Sequence, residues 1–110
     1  MIIAEFGFQI LGEADKTLDE QRYDLDRSLY YQYFLREVLK AMYLDNINVI
    51  GALAWTAVDD NEFGDVTQRF GLQTVNRTLG LNGTTGDFAR HYKRSIFDYV
   101  DFFHKYVASS

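Results

Sequence analysis

Glu5 stands in a short apolar stretch, Met1-Ile2-Ile3-Ala4-Glu5-Phe6-Gly7-Phe8, with an aromatic residue and a glycine directly after it. Carboxylates are rarely placed among apolar residues without a reason. In parallel α/β folds the carboxyl ends of strands are where sites are built. A carboxylate there can act as a nucleophile or a base; a solvent-exposed strand end is the alternative reading. A second group follows the apolar run Val49 to Trp55: Trp55-Thr56-Ala57-Val58-Asp59-Asp60-Asn61-Glu62-Phe63. It gathers an indole with the carboxylates of Asp59, Asp60 and Glu62. Aromatic faces stack on the C–H surfaces of sugars, and carboxylates accept hydrogen bonds from hydroxyls, so the combination suits a carbohydrate. Hard cations also bind such oxygens, but the run lacks the spacing and the glycine of a calcium-binding helix–loop–helix.

The remaining candidates are weaker. The chain has no cysteine, which excludes disulfides, thiolate metal sites and a cysteine nucleophile. His91 and His104 read as helix-surface residues, Ser95 as a helix cap, and the glycines do not make a phosphate loop. Neither metal nor cofactor is therefore expected. Sixteen acids against eleven bases give a net charge of −5, a poor match to nucleic acid or an anionic membrane. No apolar run approaches the roughly 20 residues that span a bilayer. The N-terminus lacks a basic flank and Glu5 interrupts its apolar run, so no signal peptide is read and a cytoplasmic location is the expectation.

These residues need elements to hold them. Residues 2–8 read as a buried strand. Thr17-Leu18-Asp19-Glu20 fits a capping box, and Asp24 is a second possible helix start. A helix is expected over 20–43. Tyr23, Tyr30, Phe34, Val38 and Met42 form its apolar stripe, widened by Tyr31, Leu35 and Leu39, and Arg27, Arg36, Glu37 and Lys40 lie mostly off it. Residues 49–55 are continuously apolar, as in a strand covered on both faces, and a strand is expected over 48–55. Residues 56–94 read as a long loop containing one short β-like run, Phe70 to Val75. A helix over 95–107 closes the chain, with Ile96, Tyr99, Val100, Phe103 and Val107 as its apolar face. The result is a single α/β segment over 1–110, in the order β-α-β-α. Two parallel strands cannot cover their own edges and faces. The segment is therefore expected to be incomplete alone, and to self-associate or dock on a missing N-terminal segment.

The motifs, in this order, resemble the C-terminal portion of glycoside hydrolase family 1, the retaining β-glucosidases, and particularly fungal members. Ile3-Ala4-Glu5-Phe6-Gly7 is similar to the family's Thr-Glu-Asn-Gly nucleophile strand. Asp26-Arg27 followed by Tyr30-Tyr31 resembles the Asp-x-x-Arg-x-x-Tyr helix. Val49 to Trp55 resembles the final strand, and Trp55-Thr56 with Asp59 to Phe63 the Trp-Ser-x-x-Asp-Asn-x-Glu-Trp segment that binds the glycone. Arg69-Phe70-Gly71-Leu72, Val75-Asn76 and Lys93-Arg94-Ser95 complete the series. The resemblance implies the last two βα units of a (β/α)8 TIM barrel. It implies Glu5 as the catalytic nucleophile, Trp55 as the platform under the sugar, and Glu62 as the acceptor of outer glycone hydroxyls. Phe63 replaces the usual second Trp; Ala4 and Phe6 replace the Thr and Asn beside the nucleophile. The partner implied is a β-glucoside or other small sugar. The acid/base carboxyl of a retaining pair lies on earlier strands of the family, absent from these 110 residues. The alternative is a catalytically inactive barrel fragment that acts as an interaction or oligomerisation module.

Overall fold

The computed structural model describes residues 1–60, 62, 64, 65, 67–76 and 88–107. Strand β1 is Ile2–Phe6, helix α1 Leu18–Arg22, helix α2 Leu25–Leu44 and strand β2 Gly51–Ala54. Strands β3 (Gln73–Val75) and β4 (Arg90–Tyr92) and helix α3 (Arg94–Tyr106) follow. A 3₁₀ turn at Glu13–Asp15 lies between β1 and α1.

The helical region expected as one element is two. The Thr17 hydroxyl accepts from the Glu20 amide at 3.3 Å and the Glu20 carboxylate accepts from the Thr17 amide at 2.8 Å, so the capping box starts α1. Tyr23, at φ −96° and ψ 62°, breaks the helix, and a second one begins after Asp24. Tyr23 therefore lies in the break, 65% exposed, rather than on the apolar stripe. The buried line of α2 runs through Arg27, Ser28, Tyr31 and Leu35. Arg27, expected off the stripe, has no exposed surface, because its charge is fully paired inside.

Strands β1 and β2 pair in parallel, with Ile2 opposite Gly51, Ile3 opposite Ala52 and Phe6 opposite Ala54. Three steps on β1 match two on β2, so a bulge lies between Ile3 and Phe6, where Glu5 sits. Both Ile3 and Phe6 consequently reach the same core. Phe6 stacks on Phe34 (centroids 4.6 Å) and meets Tyr31 edge-on at 5.2 Å. Leu35, Ala52 and Leu72 complete the buried cluster; Tyr99 and Phe103 of α3 pack against it. The Tyr99 hydroxyl donates to the Ala52 carbonyl at 2.8 Å, and Ser28 donates to Asp98 at 2.6 Å, tying α3 to β2 and α2.

The region expected as one long loop carries a hairpin. β3 and β4 pair antiparallel, with Thr74 opposite His91. β4 is Arg-His-Tyr, which has no apolar alternation to announce it. His91 therefore lies on a strand, not on a helix.

Among the described residues, helices cover only one side of the β1–β2 pair. Ile2, Ile50 and Leu53 are each more than half exposed. The radius of gyration is 16.1 Å, against about 13 Å for a compact domain of this length. Among the described residues no helix is long and apolar enough to cross a membrane.

Candidate functional site

The C-terminal ends of the two parallel strands meet through main chain. The Trp55 amide donates to the Phe6 carbonyl at 2.7 Å, so Trp55 is adjacent to the residue after Glu5. Gly7 permits the contact: a Cβ at this position would lie 1.9 Å from the Trp55 carbonyl oxygen. The Tyr31 hydroxyl donates to that same oxygen at 3.3 Å. Burial pushes the Tyr31 hydroxyl well above its usual pKa, so it remains a donor. The Trp55–Thr56 peptide bond is cis.

The Trp55 indole N–H donates to Glu62 Oε1 at 2.9 Å. Glu62 itself is buried, and its main chain exchanges two hydrogen bonds with Asp65, at 3.0 and 2.9 Å. Gly64, at φ 85°, makes the tight turn between them. Asp65 in turn accepts from the Thr67 amide at 2.8 Å. The strand end bearing Glu5, the partly exposed Trp55 ring and the Glu62 carboxylate are therefore gathered at one end of the sheet. The Glu5 side chain is exposed there. Phe63 lies outside the described residues.

Behind this rim is a buried ionic network that sequence reasoning missed. Arg27 donates from Nη1 to Glu13 Oε1 at 3.0 Å and from Nη2 to Glu13 Oε2 at 2.5 Å, a bidentate pair. It also reaches Asp24 at 2.8 Å, the Phe8 carbonyl at 3.0 Å and the Arg69 carbonyl at 2.7 Å. Lys93 donates to Glu13 and to Asp59, each at 2.9 Å. Asp59 also accepts from the Gly71 amide at 2.8 Å, and Arg69 Nη1 lies 3.5 Å from its second oxygen. A Cβ on Gly71 would sit 2.2 Å from the Asp59 nitrogen, so the approach of these two segments requires glycine. Arg27, Arg69 and Lys93 thus face Glu13, Asp24 and Asp59, and the charges balance.

The acid paired with Arg27 is Asp24, three residues before it; Asp26, singled out by the motif comparison, is exposed. Asp24 stands at the N-cap position of α2, yet its carboxylate serves α3. It accepts from the Ser95 amide at 2.9 Å and from the Ser95 hydroxyl at 2.5 Å. Ser95, expected as a cap, lies inside α3 and is the group being capped.

Burial pushes the Glu13 carboxyl up, but the bonds and charge of Arg27, with Lys93 adding to them, outweigh it and hold Glu13 below the usual carboxylate range. At Asp24 burial outweighs the bonds from Ser95 and Arg27, and the carboxyl is held above its usual value. Burial, then repulsion from Arg27, pulls the Lys93 ammonium down, against the attraction of Asp59 and Glu13. Among the described residues no group of three or more His, Asp or Glu is placed to hold a metal ion.

The sequence model of Glycosyl hydrolase family 1 matches residues 1–106. Beta-glucosidase 20 of Arabidopsis thaliana is 33% identical over 106 residues, 94% of this chain and 18% of that protein. Beta-glucosidase 1B of Phanerodontia chrysosporium is 35% identical over 75 residues, 67% of this chain and 14% of that protein. The crystal structure of beta-glucosidase 2 from the fungus Trichoderma reesei, in complex with Tris, matches with a TM-score of 0.85 at 30% identity. It covers 98% of this chain and 22% of the other. The chain thus spans between 14% and 22% of the length of these relatives. It has the fold of one part of these β-glucosidases and belongs to glycosyl hydrolase family 1.

Proposed function

We propose that this chain is the nucleophile- and glycone-binding part of a retaining β-glucosidase, equivalent to the last two βα units of a (β/α)8 barrel. The observation that carries the reading is the main-chain meeting of the Glu5 strand end with Trp55, whose indole N–H donates to Glu62. Glu5 is the nucleophile. Its carboxylate oxygen attacks the anomeric carbon and forms a covalent glycosyl-enzyme, while the aglycone oxygen leaves with a proton from a second carboxyl. That second group, about 5–5.5 Å away in a retaining pair, comes from outside these 110 residues. It then deprotonates a water, which attacks the same carbon and frees Glu5. Trp55 is the apolar platform under the glycone, Glu62 accepts from its outer hydroxyls, and Phe63 adds a second ring without an indole donor. The uncovered sheet face, with Ile2 and Leu53, supports docking onto the rest of such a barrel.

A 2-fluoro β-glucoside tests this in the whole polypeptide that carries the chain. The label is expected on Glu5 and absent from Glu5→Gln; labelling of another residue rejects the assignment. A second reading, a catalytically inactive barrel fragment acting as an interaction or oligomerisation module, is favoured by the same exposed apolar residues. It predicts no label, and self-association that Glu5→Gln leaves unchanged.

A further inference from the structure

We infer that Lys93 is a positioning residue: its ammonium locks the segment that follows Glu5 to the segment that carries Trp55 and Glu62, and thereby sets how the glycone is recognised. The kinetic half of this inference rests on the glycosidase reading above. Lys93 is completely buried at the start of α3. One of its two acceptors, Glu13, lies eight residues past Glu5; the other, Asp59, lies between Trp55 and Glu62. Each acceptor is anchored elsewhere. Arg27 clamps Glu13, and the Gly71 amide and the Gln73 carbonyl pin Asp59 from both its side chain and its main chain. The Lys93 amide itself donates to the Leu72 carbonyl at 2.9 Å. A single cation therefore joins groups separated by 80 and 34 residues.

Stability alone does not account for it. Replacing a buried ion pair by apolar groups of similar volume is often neutral or stabilising. A paired ammonium does differ from a methyl group in direction. It holds both carboxylates at hydrogen-bond distance, and so holds the two rim segments at one spacing.

Lys93→Met keeps the side-chain volume and removes the charge. The double variant Lys93→Met/Asp59→Asn also removes one of the two carboxylates left behind, the other, Glu13, keeping Arg27, and serves if the single variant does not fold. Both are made in the whole polypeptide. Amide hydrogen exchange is expected to quicken by about tenfold or more over 8–13 and 55–62 together, with Tyr31 to Leu35 unchanged. For an aryl β-glucoside, KM is expected to rise about tenfold with kcat within about threefold, and the preference over the 4-epimeric galactoside to fall. Faster exchange confined to 90–95 overturns the inference. So does a fall in kcat with KM and sugar preference intact, which a merely structural residue would give. If the unsubstituted protein takes no 2-fluoro label, the glycosidase reading fails separately, and the exchange pattern alone decides whether Lys93 couples the two segments.

Discussion

Replacing Glu13 by Gln changes one heavy atom and removes one charge at a carboxylate shared by two buried cations. Its two oxygens accept from both terminal nitrogens of Arg27 and from Lys93, and its side chain is 1% exposed. Gln keeps one acceptor but turns an NH2 group toward a guanidinium or an ammonium, so donor faces donor. Two buried cations also lose their shared counter-charge. Breaking a buried pair from one side costs about 3–5 kcal/mol, a large part of the 5–15 kcal/mol that holds a typical domain. With a urea slope of about 1.5 kcal/mol/M, the midpoint at pH 7 should fall by about 2–3 M. Glu37→Gln is the control. Glu37 pairs with Lys40 at 2.7 Å, but both side chains are more than half exposed, so its loss should cost under about 0.5 kcal/mol. The pH dependence has a definite sign. Glu13 is held below its ordinary value of 4.5 when folded, so its contribution is complete above that value and lost as pH falls through the folded one. The stability gap between wild type and Glu13→Gln should therefore close in acid. Asp24, displaced upward, acts in the opposite sense and is present in both proteins. Equal midpoint shifts for Glu13→Gln and Glu37→Gln, or a gap that widens in acid, would refute the reasoning.

Other outcomes follow from single contacts. Gly7→Ala places a methyl group 1.9 Å from the Trp55 carbonyl oxygen and should lower stability by at least about 1–3 kcal/mol in thermal unfolding. Gly51→Ala, whose Cβ would meet nothing closer than Ile2 Cγ2 at 3.9 Å, should be within about 1 kcal/mol of wild type, and an equal loss at both sites would remove the steric explanation. Trp55→Phe keeps a ring but takes the 2.9 Å donor from Glu62. In the whole polypeptide KM for a β-glucoside should rise by about tenfold to a hundredfold, from a lost bond to a charged group of about 1.5–3 kcal/mol. An unchanged KM would mean that the indole N–H does not orient Glu62.

What the amino-acid sequence determined by itself is local. The capping box at Thr17, the apolar runs that became β1 and β2 and the aromatic faces of α2 and α3 depend on neighbours within a few residues. That Glu5 and Trp55 come from neighbouring strand ends could be expected because Glu5 lies in one apolar run and Trp55 closes the other. Only the tertiary structure decided where the buried charge goes. Glu13 and Lys93 are 80 residues apart, and Asp24 and Ser95 are 71 apart. In the sequence Asp24 reads as a helix start and Ser95 as a cap, because nothing within a helical turn shows that a partner will arrive from the far end of the chain. The same holds for Arg27, which the spacing put on the polar side of α2. A charge can lie in the core only once packing has brought its partners there, and the energy of that pairing belongs to the assembled fold.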